Sequence, residues 1–78
     1  MSRLKIITEP LTQREMQILL LLVDGKLNKE IGTVLNISVD TVKKHLKNIY
    51  RKITARNRVE AVQYANSLQY KESTQIIS

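Results

Sequence analysis

Cysteine is absent from this chain, and His45 is its only histidine. No disulfide can staple the fold, and neither a thiolate nor a histidine pair is there to hold zinc. No metal and no cofactor is expected. At 78 residues the chain is one domain. A domain of this size buries only about 60% of the surface that its unfolded chain exposes, and its core supplies roughly 3–5 kcal/mol at best. Stability has to come from helix packing, aided by any self-association.

Long apolar runs are missing too. The longest, Ile18 to Val23, is core-sized and far short of the roughly 20 residues of a membrane span. The start, Met1-Ser2-Arg3-Leu4-Lys5-Ile6-Ile7, is too short and too early interrupted for a secretory signal. The expectation is a soluble intracellular protein with no membrane partner. His45 has no partner nucleophile, and no glycine loop is present to cradle a phosphate. An enzyme is not expected.

Acidic residues are lacking in one particular stretch. Residues 1–40 hold five basic and five acidic side chains. Residues 41–59 hold seven basic ones (Lys43, Lys44, Lys47, Arg51, Lys52, Arg56 and Arg58) and no acid. Residues 60–78 sum to −1, so the net charge of +6 is concentrated in one segment. Such a segment is an electrostatic footprint for a polyanion, whereas an ordinary solvated helix face carries both signs.

With two glycines and one proline, the chain reads as helical almost throughout. Residues 1–10 form a lead-in arm that Pro10 closes. Thr12-Gln13-Arg14-Glu15 is a capping box that opens a first helix, and Asp24-Gly25 ends it. Asn28 is the expected N-cap of a second helix that runs to Leu35, with Asn36 in the left-handed conformation after it. Ile37 is buried in the turn, and Ser38 caps a third helix that runs to about Ile53. Thr54 to Asn57 make a loop. A fourth helix runs from Arg58 to about Leu68, and residues 71–78 are expected to be a flexible tail. Two short helices joined by a three-residue turn are the helix-turn-helix layout. Gly32 marks the place where they cross closely, since an interior glycine otherwise costs about 1 kcal/mol relative to alanine.

At about 100° per residue, Val42, Leu46, Ile49 and Ile53 share one stripe of the third helix. Opposite it lie Asp40, Lys44, Lys47, Asn48 and Arg51, with Lys43 at the flank. A helix fits the major groove of duplex DNA, and its N-terminal half reaches the base edges. Lys43, Lys44 and Lys47 are the candidate base readers. Lys29, Thr41, Arg51, Lys52 and Arg58 are the candidate phosphate contacts. His45, about 70° from the centre of the core stripe, is a packing residue or a phosphate donor.

These residues resemble a known family. Leu11-Thr12-x-Arg14-Glu15 is followed by Gly25, Asn28-Lys29-Glu30-Ile31, Leu35-x-Ile37-Ser38, Thr41-Val42-Lys43-x-His45, Lys52-Ile53 and Asn57-Arg58-x-Glu60-Ala61. In that order and spacing they resemble the LuxR/FixJ/GerE-type helix-turn-helix domain over residues 11 to 68. The resemblance implies an all-α, compact four-helix domain, residues 11–70, of a bacterial cytoplasmic transcription regulator. It implies that the third helix reads duplex promoter DNA, with base contacts at Lys43, Lys44 and Lys47. It also implies a fourth helix that joins two copies into a homodimer, with Val59, Val62, Gln63 and Asn66 as interface residues. Gly32 departs from the family's usual alanine, and Ala55 from a larger aliphatic. The domain is either the output part of a two-component response regulator, working with a receiver domain and RNA polymerase, or a stand-alone regulator.

Two other classes stay open on the sequence alone. A promoter-reading domain of a sigma factor uses a similar motif. A protein-interaction module would turn the basic face to an acidic partner. Four side chains on the first helix also point inward or sideways. Glu15 turns toward the interior and needs a basic partner there. Met16, Leu20 and Val23 form a second apolar stripe, to be covered by Leu4, Ile6 and Ile7 of the arm or by a docked domain or protomer.

Overall fold

A computed structural model describes residues 10–77, with side chains as far as Leu68. It contains α1 (Gln13–Val23), α2 (Asn28–Leu35), α3 (Val39–Ile53) and α4 (Arg58–Ile77). Among the described residues there is no strand. The expected N-terminal arm lies outside them, apart from Pro10.

Each helix starts and stops for a local reason. The Glu15 amide donates to Thr12 Oγ1 at 3.0 Å, and the Thr12 amide donates to Glu15 Oε1 at 2.9 Å. That reciprocal pair is the expected capping box. At the other end Gly25 takes φ +84°. Its amide donates to the Leu22 carbonyl at 2.9 Å, and the Lys26 amide to the Leu21 carbonyl at 3.0 Å. This is a Schellman closure, which glycine enters without a Cβ penalty.

The start of α2 differs from expectation. Leu27, not Asn28, is the N-cap. Leucine has no side-chain acceptor to offer, and Glu30 accepts from the Leu27 amide at 2.8 Å. The Asn28 side chain is used elsewhere: its Oδ1 accepts from Arg58. Asn36 then takes φ 59°, as expected, and the Ile37 amide donates back to the Gly32 carbonyl at 2.9 Å.

Ser38 Oγ accepts from the Thr41 amide at 3.1 Å and opens α3. The helix closes at Thr54, whose φ of 58° is unusual for a β-branched residue. The Glu60 amide donates to Asn57 Oδ1 at 3.0 Å and starts α4. The fourth helix then passes its expected end near Leu68 and runs to Ile77. Residues 71–77 are therefore helical. No glycine or proline follows Asn57, so nothing in the sequence stops propagation.

The core gathers one stripe from each helix. Ile18, Leu19 and Leu22 of α1 meet Ile31 of α2, Val42, Leu46 and Ile49 of α3, and Ala61 and Ala65 of α4. Helix α1 lies against α3 and α4, and α2 lies against α3. The crossing of α2 on the turn is tight: a Cβ on Gly32 would sit 2.7 Å from the Ile37 carbonyl oxygen. In this chain glycine is what permits so close an approach.

Candidate nucleic-acid interface

The core stripe decides what α3 shows to solvent. Val42 and Ile49 are fully buried and Leu46 nearly so. Rotating about half a turn brings up Lys44, Lys47, Asn48 and Arg51, with Lys43 at the flank, all exposed. Among the described residues, Lys43, Lys44 and Lys47 have no ion pair. Three ammonium groups on about one turn of helix are thus held at the surface with no ion pair to any described residue. Lys29, in the first turn of α2, is exposed as well. Thr41 is half-buried, and its Oγ1 accepts from Ser38 Oγ at 2.9 Å. His45 is half-buried, which matches its place at the edge of the core stripe.

Two expected phosphate contacts are placed differently. Lys52 Nζ donates to Glu15 Oε1 at 2.8 Å, and only 10% of its side chain is exposed. It also reaches the Pro10 carbonyl oxygen at 3.4 Å. Lys52 is on the flank of the stripe, next to Ile53, so a short lean carries it inward to the carboxylate. The signal for this was present: an interior Glu15 needs a cation, and Lys52 is the one α3 turns that way. Burial works against the charged form of Glu15. The Lys52 ammonium and the Thr12 amide outweigh it and hold the carboxyl below its ordinary range.

Arg58 is half-buried. Its Nη2 donates to the Lys26 carbonyl at 2.9 Å and to Asn28 Oδ1 at 3.2 Å. It ties the start of α4 to the loop before α2. In the loop between α3 and α4, Arg56 Nε and Nη2 both donate to Glu60 Oε2, at 3.1 and 2.8 Å. That contact holds the Glu60 carboxyl below its ordinary range.

Along α4, Val59, Gln63 and Asn66 are exposed, and Val62 is half-buried against the core. These four positions follow the spacing of one helical face. The second apolar stripe of α1 is only partly as expected. Val23 packs on the core, while Met16 and Leu20 are 41% and 47% exposed. Leu20 shares a groove with Val34 of α2, lined also by Gln17, Leu21, Asp24 and Leu35. Leu4, Ile6 and Ile7, the expected cover, lie outside the described residues.

Residues 9–65 match the model of the family described as bacterial regulatory proteins, luxR family. The chain belongs to that family. It is 48% identical over 58 residues to the transcriptional regulatory protein LiaR of Bacillus subtilis, covering 74% of this chain and 28% of LiaR. It is 48% identical over 59 residues to the transcriptional activator protein PhzR of Pseudomonas fluorescens, covering 76% and 24%. The regulator MalT of Vibrio cholerae is 46% identical over 61 residues, covering 78% of this chain and 7% of MalT. The chain therefore spans about a quarter or less of these relatives. The four helices carry the luxR-family helix-turn-helix, with α2 and α3 as its two members. No helix among the described residues is long and apolar enough to cross a membrane.

Proposed function

We propose that this domain binds duplex promoter DNA sequence-specifically by laying α3 in the major groove, and that it acts in the bacterial cytoplasm without catalysis. One observation carries the reading. Lys43, Lys44 and Lys47 stand exposed and unpaired by any described residue, Lys44 and Lys47 opposite the buried stripe and Lys43 at its flank. A lysine ammonium in the groove donates to guanine N7 and O6. The core stripe fixes the axis of α3, so these three donors enter as one rigid set.

Lys29, Thr41 and Arg51 flank that set and contact phosphates, which fixes register without reading sequence. Lys52 and Arg58 support the interface from behind, through Glu15 and through the loop before α2. Two copies joined through Val59, Val62, Gln63 and Asn66 of α4 would present two α3 helices with two-fold symmetry, which favours an inverted repeat. RNA polymerase is the downstream partner. A receiver or other regulatory domain is the upstream one, as suits relatives several times longer than this chain.

Selection of bound sites from a random duplex pool tests the reading. The expected result is a short motif rich in guanine contacts, repeated as an inverted pair. Equal recovery of all sequences would instead favour a generic polyanion binder.

A further inference from the structure

Asp40 is an acid in the wrong company. It lies in the first turn of α3, exposed. At about 100° per residue it shares the face of Lys43, Lys44 and Lys47. A carboxylate four residues before a lysine commonly pairs with it. Here neither Asp40 nor Lys44 has an ion pair among the described residues. In the first turn of the helix, its negative charge suits the helix dipole, a modest local gain. That gain is available at any side of the first turn. It does not account for an acid on the side meant for a polyanion.

The end of a recognition helix that lies deepest in the major groove is its N-terminal one. A short acidic side chain there meets base edges before it meets phosphates. It is an acceptor only, so it needs a base that offers a donor. Cytosine offers its N4 amino group with no acceptor of its own beside it on the major-groove edge. Adenine offers N6 but places the N7 acceptor next to it, which repels the second carboxylate oxygen. We propose that Asp40 is a specificity residue that accepts a hydrogen bond from a cytosine N4 amino group. That cytosine lies beside the guanines read by the lysines.

The inference rests on the major-groove reading, and its test separates the two. Site selection is run on the unaltered 78-residue chain, on Asp40→Ala and on Asp40→Asn, with thermal melts to show that each stays folded. The unaltered chain is expected to select cytosine at one position. Asp40→Ala should lose that preference by on the order of tenfold and bind other sequences equally well or better. Asp40→Asn should move the same position toward adenine, since an amide both donates and accepts. If the unaltered chain selects no sequence, the major-groove reading and the role of Asp40 fall together. If it selects a motif that both variants share unchanged, Asp40 merely faces phosphates, and only the present inference is overturned.

Discussion

Lys52 Nζ and Glu15 Oε1, 37 residues apart in sequence, lie 2.8 Å apart between α3 and α1. The same carboxylate oxygen accepts from the Thr12 amide at 2.9 Å. One atom therefore closes the cap of α1 and anchors the C-terminal half of α3. Removing one partner of a buried pair strands the other's charge, at a cost of about 3 kcal/mol. That is most of what a core this small supplies. Lys52→Met is expected to lower the unfolding midpoint in urea by most of the domain's stability. Lys52→Arg, which keeps the charge, should lose much less. A Lys52→Met domain as stable as the parent would show the pair to be incidental.

The same pair makes stability depend on acid. The folded carboxyl of Glu15 is held below its ordinary value of 4.5. A group with a depressed folded pKa binds protons more readily when unfolded. Its contribution is thus fully present above pH 4.5 and is lost as pH falls through the folded value. Thermal melts between pH 7 and pH 3 should show the midpoint dropping only in the acid part of that range. Glu15→Gln should start lower at neutral pH and lose much of this dependence. A Glu15→Gln slope equal to the parent's would place the acid sensitivity in other carboxylates.

Gly32 sets the distance between the two members of the motif. A Cβ there would meet backbone, the Ile37 carbonyl oxygen at 2.7 Å, and backbone cannot rotate away. Gly32→Val adds a branched side chain at that contact. Overpacking of this kind costs about 1–3 kcal/mol. The variant is expected to unfold several degrees lower. At temperatures where it remains folded, its affinity for a selected site should also fall, because α3 is pushed off α2. Unchanged melting would mean that the turn opens at no cost.

The caps and the stripes were legible because they are local. Thr12 with Glu15, Gly25, Asn36 and Ser38 each act within a few residues of themselves, and each ends or starts a helix as read. The phase of α3 was legible because Val42, Leu46, Ile49 and Ile53 repeat at helical spacing. What was not legible depends on contacts across the chain. The partner of Asn28 is Arg58, 30 residues away, so a good N-cap residue is diverted and Leu27 takes its place. Lys52 looked like one more cation in a basic run until the α1 carboxylate beside it was known. The length of α4 was missed for another reason. Polar composition after Leu68 suggested fraying, yet polarity alone does not break a helix.

The division of cations on α3 and α2 can be measured. Each phosphate neutralised contributes about −0.9 to the slope of log K against log salt. Lys29→Ala and Arg51→Ala should weaken binding to all sequences alike, and each should flatten the slope by about 0.9. Lys44→Ala should instead change which bases are preferred, with a loss on the best site of about 1–3 kcal/mol. Lys44→Ala with an unchanged motif would move Lys44 from the base-reading set to the phosphate set.

The face of α4 bears on how two copies share a site. Val59 is 62% exposed and outside the core, so changing it leaves the monomer's packing alone. Val62 is half-buried against the core and is a poorer choice, because its loss would also loosen the fold. Val59→Lys places a charge where two α4 helices would meet across a two-fold axis, and the symmetry puts two such charges there. Thermal stability of the dilute protein should stay within about 0.5 kcal/mol of the parent, as for a surface change. Binding to a single half-site should be unaffected in its base preference. Binding to the full inverted repeat should lose its cooperativity, so that the two half-sites fill independently in a gel-shift titration. If the variant still fills both half-sites together, the copies meet through some other surface. The apolar groove beside Leu20 and Val34 would then be the next face to alter.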